Sequence, residues 1–154
     1  MDTTSPTGPA APIALGTKVV GFAAAVAVAA GGVLHLCLWN SDYREIPDGA
    51  VPGLWVVKVG FPLNAVVSIV VAIAVAGVAL GIIRGFRRPI LAVALAVQAG
   101  SVAALVLSRG PGIFGWTETG YSTDAKGILA AEVLAIVLLV ATEVLASRTE
   151  ADET

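Results

Sequence analysis

Polar and apolar positions along this chain fall into blocks rather than alternating. Four stretches are continuously apolar over roughly the 20 residues that a helix needs to cross a bilayer. They run from about Val19 to Trp39, Val59 to Ile83, Pro89 to Ser108 and Gly127 to Ala146. The pattern predicts an all-α fold: a polytopic membrane four-helix bundle forming one integral membrane domain, 1–154. Pro62 and Pro89 fall in the opening turns of the second and third spans, where a missing N–H does no harm. Ser122, Thr123 and Asp124 offer N-cap oxygens to the fourth. The polar tails, about 1–12 and 148–154, read as disordered. The first apolar run is longer than the roughly 7–15 residues of a signal h-region, so it reads as an anchor that is not cleaved.

Composition agrees with this pattern. Apolar residues make up 57% of the 154 residues and charged residues 13%, against about 45–50% and about 25% in soluble domains. The net charge of −2 argues against a nucleic-acid partner, which would call for a clustered basic surface. A single cysteine rules out an intramolecular disulfide.

The charges set an expected orientation. The turn between spans two and three packs Arg84, Arg87 and Arg88 into five residues, and short basic loops stay in the cytoplasm. Both termini then lie inside, leaving two longer outer loops, 40–58 and 109–126. Five basic residues fall inside and four outside, so the short arginine turn decides the matter. Seven of the nine aromatics lie on or beside the outer loops: Trp39, Tyr43, Trp55, Phe61, Phe114, Trp116 and Tyr121. They form either an interfacial belt or, with Gly53, Gly110, Gly112, Gly115 and Gly120 supplying turns, a cap over the bundle.

The only histidine, His35, sits inside the first span. Residues three and four apart share a helix face, so His35 aligns with Gly31, Gly32 and Trp39. Small residues mark surfaces where membrane helices approach closely, which points His35 into the bundle. Cys37 lies about 200° around the helix, so the two do not form a chelating pair. Each other span supplies a polar face: Asn64 and Ser68, Gln98 and Ser101, Glu132 and Glu143. At about 1.5 Å per residue, His35, Asn64 and Glu132 lie about 6, 7 and 9 Å below the outer boundary. His35, Asn64, Ser68, Gln98, Ser101 and Glu132 are therefore a candidate buried polar cluster. Such groups either bond helices together or mark a site, the default reading for an ionisable group in a membrane. Glu143, near the inner boundary, is placed to snorkel or to pair with Arg148, Lys18 or the arginine turn.

Gly77, Gly81 and Gly85 recur at i,i+4 and are candidate helix-association residues. The sequence contains no P-loop, no dinucleotide glycine motif, no Cys-x-x-Cys and no His-Glu-x-x-His. No catalytic residue, metal or cofactor is expected.

The run HLCLWNSDYREIPDGAVPGLWVVKVGFPLNAV resembles a pattern in small, uncharacterised four-span membrane proteins of actinobacteria. There, His-x3-Trp leads into a Tyr-Arg-x-Ile-Pro loop and then a Leu-Asn. The matching residues here are His35, Trp39, Tyr43, Arg44, Ile46, Pro47, Leu63 and Asn64. The resemblance implies a multi-pass protein of a bacterial plasma membrane. In architecture alone the chain is also similar to DoxX-like four-helix proteins. The expected function is a non-enzymatic accessory or interaction subunit, with the bilayer and a homo-oligomer or larger membrane complex as partners. The alternative is a ligand-, proton- or ion-handling protein built on His35, Asn64 and Glu132; an enzyme with His35 as general base comes third.

Overall fold

The computed structural model describes residues 15–152. It contains four long α-helices: α1 (Leu15–Leu38), α2 (Leu54–Ala79), α3 (Arg87–Ser108) and α4 (Thr123–Asp152). All four are long and apolar enough to cross a membrane. Among the described residues there is no named strand, only an isolated antiparallel bridge between Ile113 and Trp116. The expected disorder of 1–12 falls outside the described residues.

In a membrane, close packing and polar contacts hold helices together, because lipid is as apolar as leucine. The core reflects this. Its centre is built largely from small side chains: Ala24, Ala25, Val28, Ala72, Val75, Ala94 and Ala135, with Leu91 and Leu139 filling the remaining space. Exposed side chains such as Val26, Val66, Val70, Ile73 and Val137 are apolar too. α1 is flanked by α2 and α4, and so is α3. The tightest seam runs between α1 and α2. A Cβ on Gly32 would stand 2.9 Å from Ser68 Cβ and 3.1 Å from the Ala65 carbonyl. At the other end of α1, a Cβ on Gly21 would stand 3.0 Å from Ala79 Cβ. The α2–α3 seam is the loosest.

Several boundaries differ from those the apolar pattern predicts. α2 starts at Leu54, so Pro62 lies inside the helix rather than in its first turn. The ring removes the bond to the Lys58 carbonyl. α2 also ends earlier, at Ala79. Gly81 adopts φ +73° and the N–H groups of Ile82 and Ile83 fold back onto the Gly77 carbonyl, an αL-type helix stop. Gly77, Gly81 and Gly85 therefore form no continuous helical ridge. Only Gly77 is helical, its face is covered by Ile83, and Gly81 and Gly85 are left-handed turn residues. α4 continues through Arg148 to Asp152, where a disordered tail is expected. Ion pairs anchor this extension: Arg87 Nη1 to Glu150 at 2.7 Å, Arg87 Nε to Glu143 at 3.1 Å and Arg88 Nε to Glu143 at 3.4 Å. Glu143 thus pairs with the arginine turn. Ser122 caps the start of α4, its hydroxyl accepting from the Ala125 N–H at 3.2 Å.

At the opposite end of the bundle, α1 passes into a π-helical turn, Trp39–Tyr43. The wider turn rotates the following side chains around the axis and leaves Tyr43 buried. Tyr43 donates a hydrogen bond to Glu118 from the far loop and stacks edge-on against Trp116 at 5.8 Å. Gly53, at φ +73°, lies directly against the Trp116 backbone; any Cβ there would stand 2.6 Å from the Gly115 carbonyl carbon. The loops after α1 and α3 thus pack on each other and close this end. The aromatics divide accordingly. Tyr43 and Trp116 are buried beneath the loops, while Trp55, Phe114 and Tyr121 face outward.

Candidate functional site

Facing positions on the four helices meet beneath the packed loops. His35 comes from the last turn of α1, one turn before the π-helical segment. Asn64 and Ser68 stand one turn apart on α2, Gln98 and Ser101 on α3, and Glu132 on α4. His35 and Glu132 are only 3% and 1% exposed.

A hydrogen-bond chain joins three of these helices to α1. His35 Nε2 lies 2.9 Å from Glu132 Oε1 and 3.1 Å from Ser101 Oγ. Asn64 Nδ2 donates to Ser101 Oγ at 2.7 Å, and Ser68 Oγ donates to Asn64 Oδ1 at 3.0 Å. A ring nitrogen offers one hydrogen or one lone pair. In the Nε2–H tautomer that hydrogen is shared between the two oxygens. Phe61 packs edge-on against the imidazole at 5.0 Å.

Gln98 lies in the same layer, fully buried, but is not joined to this chain. Its Oε1 makes no hydrogen bond, and neither do Glu132 Oε2, His35 Nδ1 or Trp39 Nε1. Gln98 Oε1 and Glu132 Cγ both approach Gly31, each 3.7 Å from where a Cβ would stand. Cys37 faces outward, away from His35. Among the described residues no three His, Cys, Asp or Glu side chains are grouped as metal ligands.

Pattern reading from the sequence misses a cavity of about 290 Å³ that reaches this chain from the side, between α2 and α3. His35, Asn64 and Ser101 form its polar end; Val56, Phe61, Val67, Val97 and Leu105 are among its apolar walls. Leu63, which is 59% exposed, and Ala104 line its mouth on the surface of the bundle. Its roof is Arg109, Glu118 and Trp116. The roof charges satisfy each other. Arg109 Nη2 bonds Glu118 at 2.7 Å, Nε donates to the Gly120 carbonyl at 2.8 Å, and Nη1 donates to the Leu105 carbonyl at 3.0 Å. Tyr43 takes the other Glu118 oxygen. Arg109 and Glu118 lie in a loop region whose apolar pattern is weak, so no periodicity points to them.

No family model, curated protein or solved structure matches the chain.

Proposed function

We propose that this chain is a small-molecule-binding protein of a bacterial plasma membrane, with both termini cytoplasmic, that holds an apolar molecule in the cavity between α2 and α3. The observation that carries this reading is the cavity itself. It has apolar walls, a few convergent polar groups at one end and a mouth on the apolar face of the bundle, the general form of a ligand site. A ligand dissolved in the bilayer would enter sideways without crossing the packed loops. The arginine turn supports the orientation. The resemblance of the segment around His35, Trp39, Tyr43, Arg44 and Asn64 to small actinobacterial membrane proteins supports the location.

The test is extraction of the protein in its native lipid, followed by mass spectrometry of what is retained, for the wild type and for Ala104→Phe. The larger side chain would fill the cavity mouth. The wild type should retain a defined apolar compound that the variant loses, and identical extracts would refute the reading.

A second reading is an accessory subunit of a larger membrane complex or a homo-oligomer. It is favoured by α3, where Ala92, Ala96, Gly100 and Ala103 are exposed and lie three or four residues apart, a spacing at which membrane helices can approach closely. Crosslinking from Ala96 in native membranes would separate the two readings. The accessory role requires a specific adduct to a second polypeptide or a second copy of this chain.

A further inference from the structure

We propose that the cavity selects ligands carrying a carbonyl oxygen, and that the hydroxyl of Ser101 is the group that reads it. This rests on the cavity being a ligand site, as proposed above, and adds the chemistry of the head group.

The argument is a count of hydrogens and lone pairs at one oxygen. A serine hydroxyl has two lone pairs and one hydrogen. With the Asn64 amide set by Ser68, its N–H takes the first lone pair of Ser101 at 2.7 Å. With His35 in its Nε2–H tautomer, the shared N–H takes the second at 3.1 Å. The hydroxyl hydrogen is left over. Hydroxyls in helices commonly return that hydrogen to their own backbone, and here Ser108, Thr142 and Thr149 do so, to Leu105, Leu138 and Leu145. Ser101 instead turns its oxygen toward α1 and α2 and lines the cavity.

The surrounding side chains, Val67, Val97 and Ala104, are apolar. Glu118, in the roof, is engaged by Arg109 and Tyr43. A ligand that completes the site therefore brings an acceptor. A cation would find no free carboxylate in the lining, because Glu118 is paired and Glu132 is not part of it. An anion would have to displace Glu118 from Arg109. An uncharged carbonyl on an apolar body supplies the acceptor that the Ser101 hydrogen lacks. The cavity, at about 290 Å³, is at the small end for ligand sites. It suits a head and the first part of a chain, with the remainder lying past Leu63 and Ala104 in the bilayer. Two sources share this chemistry: a ring ketone, as in a lipid-soluble quinone, and the ester of an acyl lipid.

The experiment uses the full chain in nanodiscs of diether phosphatidylcholine, which carries no ester carbonyl to compete. Three probes of similar tail length are titrated calorimetrically against empty nanodiscs: a decyl-substituted benzoquinone, monodecanoylglycerol and decylbenzene. The expected result is that one or both carbonyl probes bind about tenfold more tightly than decylbenzene, the scale of one hydrogen bond in a dry site. Preference for the quinone alone or the ester alone identifies the source. Ser101→Ala should abolish the preference, Ser101→Thr should keep it, and Ser101→Cys, a weaker donor of similar shape, should reduce it. Equal binding of all three probes to the wild type would overturn the carbonyl inference and leave the cavity as an unselective ligand site. Binding of none would overturn both proposals. A carbonyl preference that survives in folded Ser101→Ala or is undiminished in Ser101→Cys would also overturn the assignment to Ser101.

Discussion

Removing His35 alone should cost more than removing both members of the His35–Glu132 pair. In His35→Leu two hydrogen bonds vanish, those at 2.9 and 3.1 Å. At about 0.6–1.7 kcal/mol for each bond between membrane helices, that loss is about 1–3 kcal/mol. Glu132 is then stranded. It is 1% exposed, and its second oxygen already lacks a partner. An unpaired buried carboxylate raises the total toward about 3–5 kcal/mol. Glu132→Leu is milder, about 1–2 kcal/mol, because His35 keeps its contact with Ser101. The double variant strands nothing and should cost about 1–3 kcal/mol, leaving a coupling of about 3–4 kcal/mol. Glu132→Gln retains an acceptor oxygen and should lie closest to the wild type. The assay is reversible unfolding in mixed micelles, followed by circular dichroism, for the four members of the cycle and the glutamine variant. Single-variant costs that add to within about 0.5 kcal/mol would mean that the two side chains do not act on each other, and the polar chain would lose its centre.

Adjacent glycines of α1 should respond differently to one added methyl. Gly32→Ala pushes on Ser68 and the Ala65 backbone at 2.9 and 3.1 Å and should destabilise by about 1–3 kcal/mol, whereas Gly31→Ala meets only ordinary contacts at 3.7 Å and should be neutral or stabilising in the same melts. Gly53→Ala forces a side chain onto a left-handed backbone pressed against Trp116, so the loops should separate. A red shift of tryptophan emission and faster proteolysis within the loops 44–53 and 109–122 would report it, and an unchanged spectrum and digest would refute the loop packing. For topology, single cysteines introduced into a Cys37→Ser background should be labelled from outside at Asp48 and Glu118 and only after permeabilisation at Arg87. Labelling of Arg87 from outside would reverse the orientation and move the polar chain to the inner half of the membrane.

The four helices are legible from the sequence because the bilayer sets a length and a polarity that each span must meet by itself. The same holds for the inward face of His35, since Gly31 and Gly32 on that face let neighbouring helices come near. Helix ends are less legible, because they depend on contacts made elsewhere. α4 gains its last turn from Arg87 and Arg88 across the bundle. α2 stops at Ala79 because Gly81 takes a left-handed turn, so glycines spaced as a ridge act as punctuation. Depth along each span places His35, Asn64, Ser101 and Glu132 in one layer. Only the tertiary structure decides which of them bond, since rotation about four helix axes and the choice of neighbours are properties of the packed bundle. Gln98 lies in that layer and is still left out of the chain. The cavity is the clearest case. It exists because α2 and α3 stand apart on one side of Ser101 while Gly32 draws α1 and α2 together on the other, and a space between helices has no pattern in any one of them.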